Sequence, residues 1–317
     1  MTLKLLVSRR LPDAVMAEAA TRFEVTHRPG GGPMSHEECI TALSEQDMVI
    51  PTLGDGFSAE VFAGVPTPRC KLLANFGVGY NHIDVEAAAA AGVAVTNTPG
   101  AVTDATADIA MTLILMTARR AGEGERIVRA GKWLGWKPTQ MLGMHVTGKT
   151  VAIIGMGRIG QAIARRCHFG FGCRIVYANR SSKSLDFPAE QMSLERAMSA
   201  ADIVVIALSG GPGTYHFIGA GALAAMPPHA MVINISRGDV IDEAALITAL
   251  QAGQIAGAGL DVYEFEPEVP EALIAMENVT LLPHLGTAAL EVREAMGRMA
   301  LANVIACAEG QALPNPV

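Results

Sequence analysis

Along the first hundred positions, apolar residues fall into short β-rich runs separated by alanine-rich or helix-periodic stretches. The runs predict strands at Lys4–Ser8, Phe23–His27, Asp47–Pro51, Leu72–Asn75 and Val93–Thr96. The stretches between them, Leu11–Thr21, His36–Ser44, Ser58–Phe62 and Val85–Ala91, predict helices. Such alternation implies βαβ units, hence a parallel sheet with helices on both faces. Pro99-Gly100 breaks the pattern, and Thr103-Asp104 is then placed to cap a long helix running to about Arg120. Gly122 to Gly148 holds both tryptophans, Trp133 and Trp136, in an irregular stretch punctuated by Gly and Pro. A loop of that length tends to be functional or an interface arm. A second alternating series predicts strands at Thr150–Ile154, Arg174–Ala178, Ile203–Ala207, Met231–Asn234, Ile255–Leu260 and Val279–Leu282. Helices such as Ile159–His168 and Glu243–Gln251 fall between most of them. Six parallel strands make a doubly wound domain. A predicted helix from Ala288 to about Glu309 comes after the last strand.

Composition narrows the class. The 317 residues suggest about two domains. Half are hydrophobic and only 17% charged, which excludes a disordered chain. The 33 glycines have no three-residue period, so they point to tight turns rather than collagen. A net charge of −7 argues against a nucleic-acid partner, and 5% aromatics leave little to stack on bases. Cys39, Cys70, Cys167, Cys173 and Cys307 form no C-x-x-C pair, so reduced thiols are expected and no metal site. In Met1 to Arg10 the apolar run precedes the arginines, the reverse of a secretory signal. Ala105–Ala118 carries Asp108 and is too short to cross a bilayer. A soluble, cytoplasmic protein with no membrane partner is expected.

Gly155-Met156-Gly157-Arg158-Ile159-Gly160 is G-x-G-x-x-G, set between an apolar strand and a predicted helix, the context in which it binds dinucleotides. Gly155 permits the tight turn, Gly157 lets a pyrophosphate approach, and Gly160 lets helix and strand pack closely. About twenty residues on, an NAD site has Asp or Glu for the ribose 2′-hydroxyl. Here stand Asn179-Arg180-Ser181-Ser182-Lys183. Arg180, helped by Ser181 and Lys183, suits a 2′-phosphate, so NADP(H) is the expected cofactor, with NAD(H) left open.

Three further segments put ionisable groups just past buried strands, where open α/β sheets bind ligands. They are Asn234-Ile235-Ser236-Arg237-Gly238-Asp239, Gly259-Leu260-Asp261-Val262-Tyr263-Glu264-Phe265-Glu266-Pro267 and Leu282-Pro283-His284-Leu285-Gly286. With these the chain resembles the D-isomer-specific 2-hydroxyacid dehydrogenase family over essentially its full length. Ser8-Arg9-Arg10-Leu11-Pro12 and Trp133-Leu134-Gly135-Trp136-Lys137-Pro138 point to its glyoxylate/hydroxypyruvate reductase branch. The resemblance implies two doubly wound α/β domains. One is a flavodoxin-like substrate domain, residues 1–98 completed by 287–317, and the other a Rossmann domain, residues 99–286, with the active site in the cleft between them. It implies Arg237 on the 2-oxo acid's carbonyl and carboxylate, His284 as proton donor, Glu266 as that histidine's partner and Asp261 orienting the nicotinamide. Asn179, Thr214, Ile235 and Gly286 join Gly155, Gly157, Arg158, Ile159 and Gly160 as implied cofactor contacts.

The chemistry agrees. Reducing a ketone builds negative charge on oxygen, where a guanidinium and an acid must converge. An imidazole of ordinary pKa near 6.5 is only partly protonated at neutral pH, and a neighbouring carboxylate favours the imidazolium. Asn75-Phe76-Gly77-Val78-Gly79-Tyr80-Asn81-His82-Ile83-Asp84 resembles the family's substrate loop, with the N–H groups of Val78 and Gly79 cradling the carboxylate. Leu53-Gly54 would wall the pocket and limit substrate size. Ser209-Gly210-Gly211-Pro212 departs from the family's Pro-Leu-Thr-Pro type, and Asp108 stands where Glu is usual, in an expected structural role. His27, His36, His145, His168, His216 and His229 have no partnered motif and read as structural or exposed, and the methionines as core filling. A homodimer is expected through the 100–147 helix and arm, with a tryptophan either packing there or reaching the partner's site. The expected reaction is reduction of glyoxylate or hydroxypyruvate by NADPH to glycolate or D-glycerate. The rivals are 3-phosphoglycerate dehydrogenase, disfavoured by residues 179–183 and by the chain's ending at 317 with no regulatory domain, a formate dehydrogenase, which would be expected to carry Gln where Glu266 stands, and a non-catalytic dinucleotide-sensing corepressor, which needs no such trio.

Overall fold

A computed structural model of the chain describes residues 2–317; Met1, the first residue of the N-terminal apolar run, lies outside them. The chain divides into two compact units, residues up to Val102 with Thr287–Val317, and Thr103–Gly286.

The first unit is built on strands β1 (Lys4–Val7), β2 (Glu24–His27), β3 (Met48–Ile50), β4 (Leu72–Ala74) and β5 (Ala94–Thr96). They pair in parallel in the order β2-β1-β3-β4-β5, the flavodoxin-like order, with its switch point between β1 and β3. Residues 8–10 and 51–55 leave the C-terminal ends of those two strands. The helix Leu290–Ala308 returns to this unit and buries Ala300, Leu301 and Val304 with Leu5, Val7 and Leu72. Gly297 allows the approach, because a Cβ there would lie 2.8 Å from a methyl of Val15.

The second unit holds β6 (Thr150–Ile154), β7 (Arg174–Ala178), β8 (Ala189–Gln191), β9 (Ile203–Ile206), β10 (Met231–Asn234), β11 (Gly257–Leu260) and β12 (Val279–Leu281). All are parallel, in the order β12-β11-β10-β9-β6-β7-β8, switching between β6 and β9. The central strand β9 is Ile-Val-Val-Ile with no exposed residue, the continuous apolar run that a parallel strand covered on both faces requires. Gly257 and Gly259 on β11 leave room for the helix Thr103–Ala118, since a Cβ on Gly259 would stand 2.8 Å from the Thr117 hydroxyl.

Three sequence expectations are corrected. The second sheet has seven strands rather than six, because Ala189–Gln191 adds a half-exposed edge to β7 without any apolar run to announce it. Gly122–Gly148 is not irregular throughout: a helix covers Ala121–Arg129, although it buries no residue. Thr103 and Asp104 lie inside the first turn of the long helix, not before it. Among the described residues no helix is long and apolar enough to cross a membrane.

Candidate active site

The glycine loop between β6 and the helix Arg158–Arg165 is shaped by close backbone approaches. Gly155 has φ of 100°, and a Cβ on it would fall 2.6 Å from the Ala207 carbonyl oxygen. A Cβ on Gly160 would fall 2.1 Å from the Gly155 carbonyl oxygen. Gly157 differs, with nothing within 4 Å of the space a Cβ would fill. That opening lies at the helix N-terminus, where the first-turn N–H groups, those of Arg158 and Ile159 included, have no intrahelical acceptor. The donor set fits a pyrophosphate.

Asn179, at the end of β7, joins this loop through its side-chain oxygen, which accepts from the Met156 N–H at 3.2 Å. Its amide nitrogen donates to the Ser181 carbonyl at 2.7 Å, closing the next turn of the chain. Arg180, Ser181 and Lys183 are exposed on that turn. The nearby carboxylates of Asp186 and Glu190 are taken up by Arg165 and Arg174, while neither Arg180 nor Lys183 has an ion-pair partner among the described residues. An uncompensated guanidinium and ammonium beside an amide, with no carboxylate in its place, suit a phosphate better than a bare ribose diol.

Past the other strand ends, the three ionisable loops converge. His284 Nδ1 stands 2.8 Å from Glu266 Oε2, and the other oxygen of Glu266 accepts from the Tyr263 N–H at 3.2 Å. His284 takes φ of 54°, rare for a residue with a side chain, and such strain persists where the surroundings impose it. The surroundings here are Asp261, buried at the end of β11. Its main-chain oxygen accepts from the His284 N–H at 2.9 Å, and its carboxylate from the N–H groups of Leu285 at 2.6 Å and Gly286 at 2.8 Å. Burial raises the Asp261 pKa above the ordinary carboxylate value, and the two N–H donors oppose that.

Arg237 is half-buried. One terminal nitrogen donates to the Ser236 carbonyl at 2.7 Å, while its Nε is out of solvent with no hydrogen-bond partner among the described residues. Desolvation lowers the guanidinium pKa, and the carboxylates of Glu266 and Asp239 work the other way. Asn234 ties its loop by donating to the Arg237 carbonyl at 2.9 Å and accepting from Ser236. Gly238 packs on the backbone of Tyr263, and Gly210 on the Arg237 stem, where a Cβ would come within 2.7 Å of Cγ. Thr214 spends its hydroxyl on its own turn, donating to the Ser209 carbonyl at 2.7 Å, and Ile235 is buried. Asn234, Gly210 and the Asp261 bridge escaped the sequence reading, which has no local signal for groups that act across loops.

In the first unit, Asn75 donates to the carbonyls of Gly77 and Gly79, both at 3.0 Å, and Asn97 to that of Val78 at 2.9 Å. With those oxygens held inward, the N–H groups of Val78 and Gly79 have no protein acceptor among the described residues. A pair of free amides is an anion cradle. Leu53 is fixed by Arg9, which donates to its carbonyl at 2.9 Å, and Gly54 takes φ of 87°. Fully buried Asp55 completes the turn by accepting from the N–H groups of Thr52 and Met34. Asp108 is paired with Arg166, in the structural role expected. His216, which no sequence motif pairs, meets Glu264 at 2.8 Å, an acid two residues from Glu266, and His229 likewise meets Asp202 at 2.9 Å.

Comparison with known proteins bears on this arrangement. Residues 111–286 match the family described as D-isomer specific 2-hydroxyacid dehydrogenase, NAD binding domain. The chain is 41% identical to a glyoxylate reductase of Thermococcus onnurineus over 321 aligned positions, covering 99% of this chain and 95% of that one. It is similar to a putative D-isomer specific 2-hydroxyacid dehydrogenase of Polaromonas, with TM-score 0.93 and 38% identity, all of each chain being covered. It also resembles an NADPH-dependent glyoxylate/hydroxypyruvate reductase of Sinorhizobium meliloti, solved with NADP and malonate. There the TM-score is 0.89 at 34% identity, covering 100% of this chain and 97% of that one.

Proposed function

The chain belongs to the D-isomer specific 2-hydroxyacid dehydrogenase family, and on that premise we propose that it reduces glyoxylate and hydroxypyruvate, preferring NADPH to NADH. It is a glyoxylate reductase-type oxidoreductase of the CH–OH group and uses a nicotinamide dinucleotide. The finer reading rests on one observation for each half. For the chemistry, it is the His284–Glu266 pair at 2.8 Å, with the Arg237 loop packed on the Glu266 loop. For the cofactor, it is the unpaired Arg180 and Lys183 beside Asn179, on the turn where a carboxylate would select NADH. The relative from Sinorhizobium meliloti, which is NADPH-dependent and acts on both oxo acids, supports the same reading.

When bound, the reduced nicotinamide supplies the hydride that C2 of the oxo acid accepts, with Arg158, Ile159, Arg180, Ser181 and Lys183 as the residues that hold the dinucleotide. The chain's own groups manage the charge that results. Arg237 faces the carbonyl oxygen, and its desolvated guanidinium acts on developing negative charge with little screening. Because Glu266 occupies Nδ1 of His284, the proton at Nε2 is the one available to the substrate oxygen. After transfer the neutral ring keeps its Nδ1 proton on Glu266, and oxidation runs with Nε2 as base. The Val78 and Gly79 amides hold the carboxylate, and Leu53 and Gly54 limit the size of the substituent on C2. We also assign a homodimer through the 100–147 region, where Trp133, Leu134, Trp136 and Leu142 are all exposed.

Initial rates with glyoxylate, hydroxypyruvate, pyruvate and a branched 2-oxo acid, each with NADPH and NADH, test the proposal. The two small polar acids are expected to give the highest kcat/KM, with NADPH ahead of NADH. Equal or better efficiency with the branched acid refutes the small pocket, and equal use of both cofactors refutes the role of the basic turn.

A further inference from the structure

Two histidine–carboxylate pairs share one turn. Glu266 meets His284, and two residues earlier Glu264 Oε1 meets His216 Nε2, also at 2.8 Å. The proposed reduction uses only the first. The second carboxylate is the more enclosed, its side chain 9% exposed against 30% for Glu266. His216 is held with φ of 48°, a conformation costly for a side-chain-bearing residue, and its ring stacks on Tyr215 with centroids 3.9 Å apart. Its main-chain N–H donates to the Asp239 carbonyl at 2.8 Å, and two residues on, that of Ile218 donates to Val240 at 3.0 Å. Three segments therefore meet around one histidine, two of them joined by its side chain and the third by the main chain of residues 216–218. They are 209–218 with Thr214, 237–240 with Arg237, and 261–267 with Asp261 and Glu266.

We propose that His216 is a positioning residue that, with Glu264, locks the segment bearing Thr214 to the two loops bearing Arg237 and Glu266. The side chain grips the turn of Glu266 and the main chain grips the loop of Arg237, so the cofactor-side segment moves only if both catalytic loops move with it. Glu264 is hydrogen-bonded by Tyr215 at 3.4 Å, Glu243 accepts from the Glu264 N–H at 3.4 Å, and Asp239 and Asp242 act on Tyr215. Burial raises the Glu243 pKa, the hydrogen bond from the Glu264 N–H opposes that, and the Glu264 charge adds a smaller upward push.

The inference rests on the proposed function for its kinetic readout only, since cofactor affinity needs no turnover. The experiment compares the unmodified protein with His216→Ala, Glu264→Ala, the double variant and His216→Gln, by NADPH fluorescence titration and by steady-state rates against pH. Either alanine variant is expected to weaken NADPH about tenfold, the equivalent of losing one charge-assisted hydrogen bond. Both should lower kcat while KM for the oxo acid stays within about twofold. The double variant should be no worse than the worse single one, because one interaction is removed in all three. Glutamine, which still donates to Glu264, should restore affinity to within about threefold. Unchanged NADPH affinity, or additive losses in the double variant, overturns the proposal, as does a lowered melting temperature with affinity and kcat intact. If instead the unmodified protein reduces no 2-oxo acid while the affinity cycle behaves as described, the proposed function fails and the clamp stands.

Discussion

Gly238→Ala tests whether the Arg237 and Glu266 loops work as one rigid piece. A Cβ at position 238 would lie 1.8 Å from the carbonyl carbon of Tyr263, 2.0 Å from its oxygen and 2.3 Å from the Glu264 nitrogen. Two non-bonded carbons need roughly 3.5 Å, so the loops must part by about 1.7 Å to admit one methyl group. All three atoms are backbone, and no rotamer change relieves the clash. They also belong to the turn between Asp261, which holds the His284 loop, and Glu266, which holds the His284 ring. Overpacking of this kind costs about 1–3 kcal/mol of stability. A misplacement of about 1 Å at reacting groups costs on the order of a hundredfold in rate. The variant is therefore expected to melt earlier and to lose about a hundredfold in kcat/KM for glyoxylate. NADPH affinity should stay within about tenfold, because the glycine loop lies on other strands. Rates and a fluorescence titration on one preparation decide the matter. A variant that melts normally and keeps kcat/KM within about threefold of the unmodified protein shows that the two loops need not be held together, and the reasoning from their contact fails.

Replacing His284 with Ala should lower kcat by roughly a thousandfold while NADPH still binds, since general acid catalysis contributes about 10²–10⁴-fold; near-normal turnover refutes the proton-donor assignment. Arg180→Asp should weaken NADPH by at least about tenfold and leave NADH within about twofold, whereas equal losses for both remove the 2′-phosphate role. Asp47, bonded by Arg69 and by the Lys4 N–H, has its carboxyl held below the usual range, mainly by the Arg69 guanidinium. A depressed folded-state pKa contributes stability that is complete above the unfolded value and lost as pH falls through the folded one. Asp47→Asn should therefore lower the melting temperature at neutral pH, with the gap to the unmodified protein closing in strong acid. A gap that stays constant from neutral pH to strong acid contradicts the ion pair.

How much the sequence discloses depends on how local each signal is. Strands such as Ile203–Ile206 and Thr150–Ile154 are legible because burial on both faces demands an apolar run. Ala189–Gln191 is invisible, because an edge strand with Glu190 and Gln191 exposed takes its conformation from its neighbour Tyr177 rather than from its own residues. The helix Ala121–Arg129 hides behind Gly122 and Gly124, which disfavour helix, and is supported by ion pairs of Arg120 with Glu123 and Arg129 with Glu125. In the candidate site the ionisable residues stand out by type and by their place after strands. The contacts that join them do not. The Gly238–Tyr263 contact, the two N–H groups on Asp261 and the His216–Glu264 pair link positions that only the folded chain brings together.

The charge of the molecule and the charge of its ligands can then be reconciled. A chain at −7 should repel NADPH and a 2-oxo acid alike if the whole-molecule field governed binding. At physiological ionic strength, however, exposed charges act over only about 8 Å, so distant carboxylates matter little and neighbours decide. Near the glycine loop the neighbours are Arg158, Arg180 and Lys183, all exposed, while the acids around them are already bonded to Arg165 and Arg174. Arg237 works differently, because it is drawn out of water with its Nε unpartnered. Desolvation makes that cation costly to hold and leaves it strongly attractive to an anion that reaches it, and Glu266 and Asp239 offset part of the cost. Attraction at the cofactor turn is therefore screenable by salt, whereas attraction at the reacting oxygen is not. Raising ionic strength should accordingly raise KM for NADPH much more than it lowers kcat.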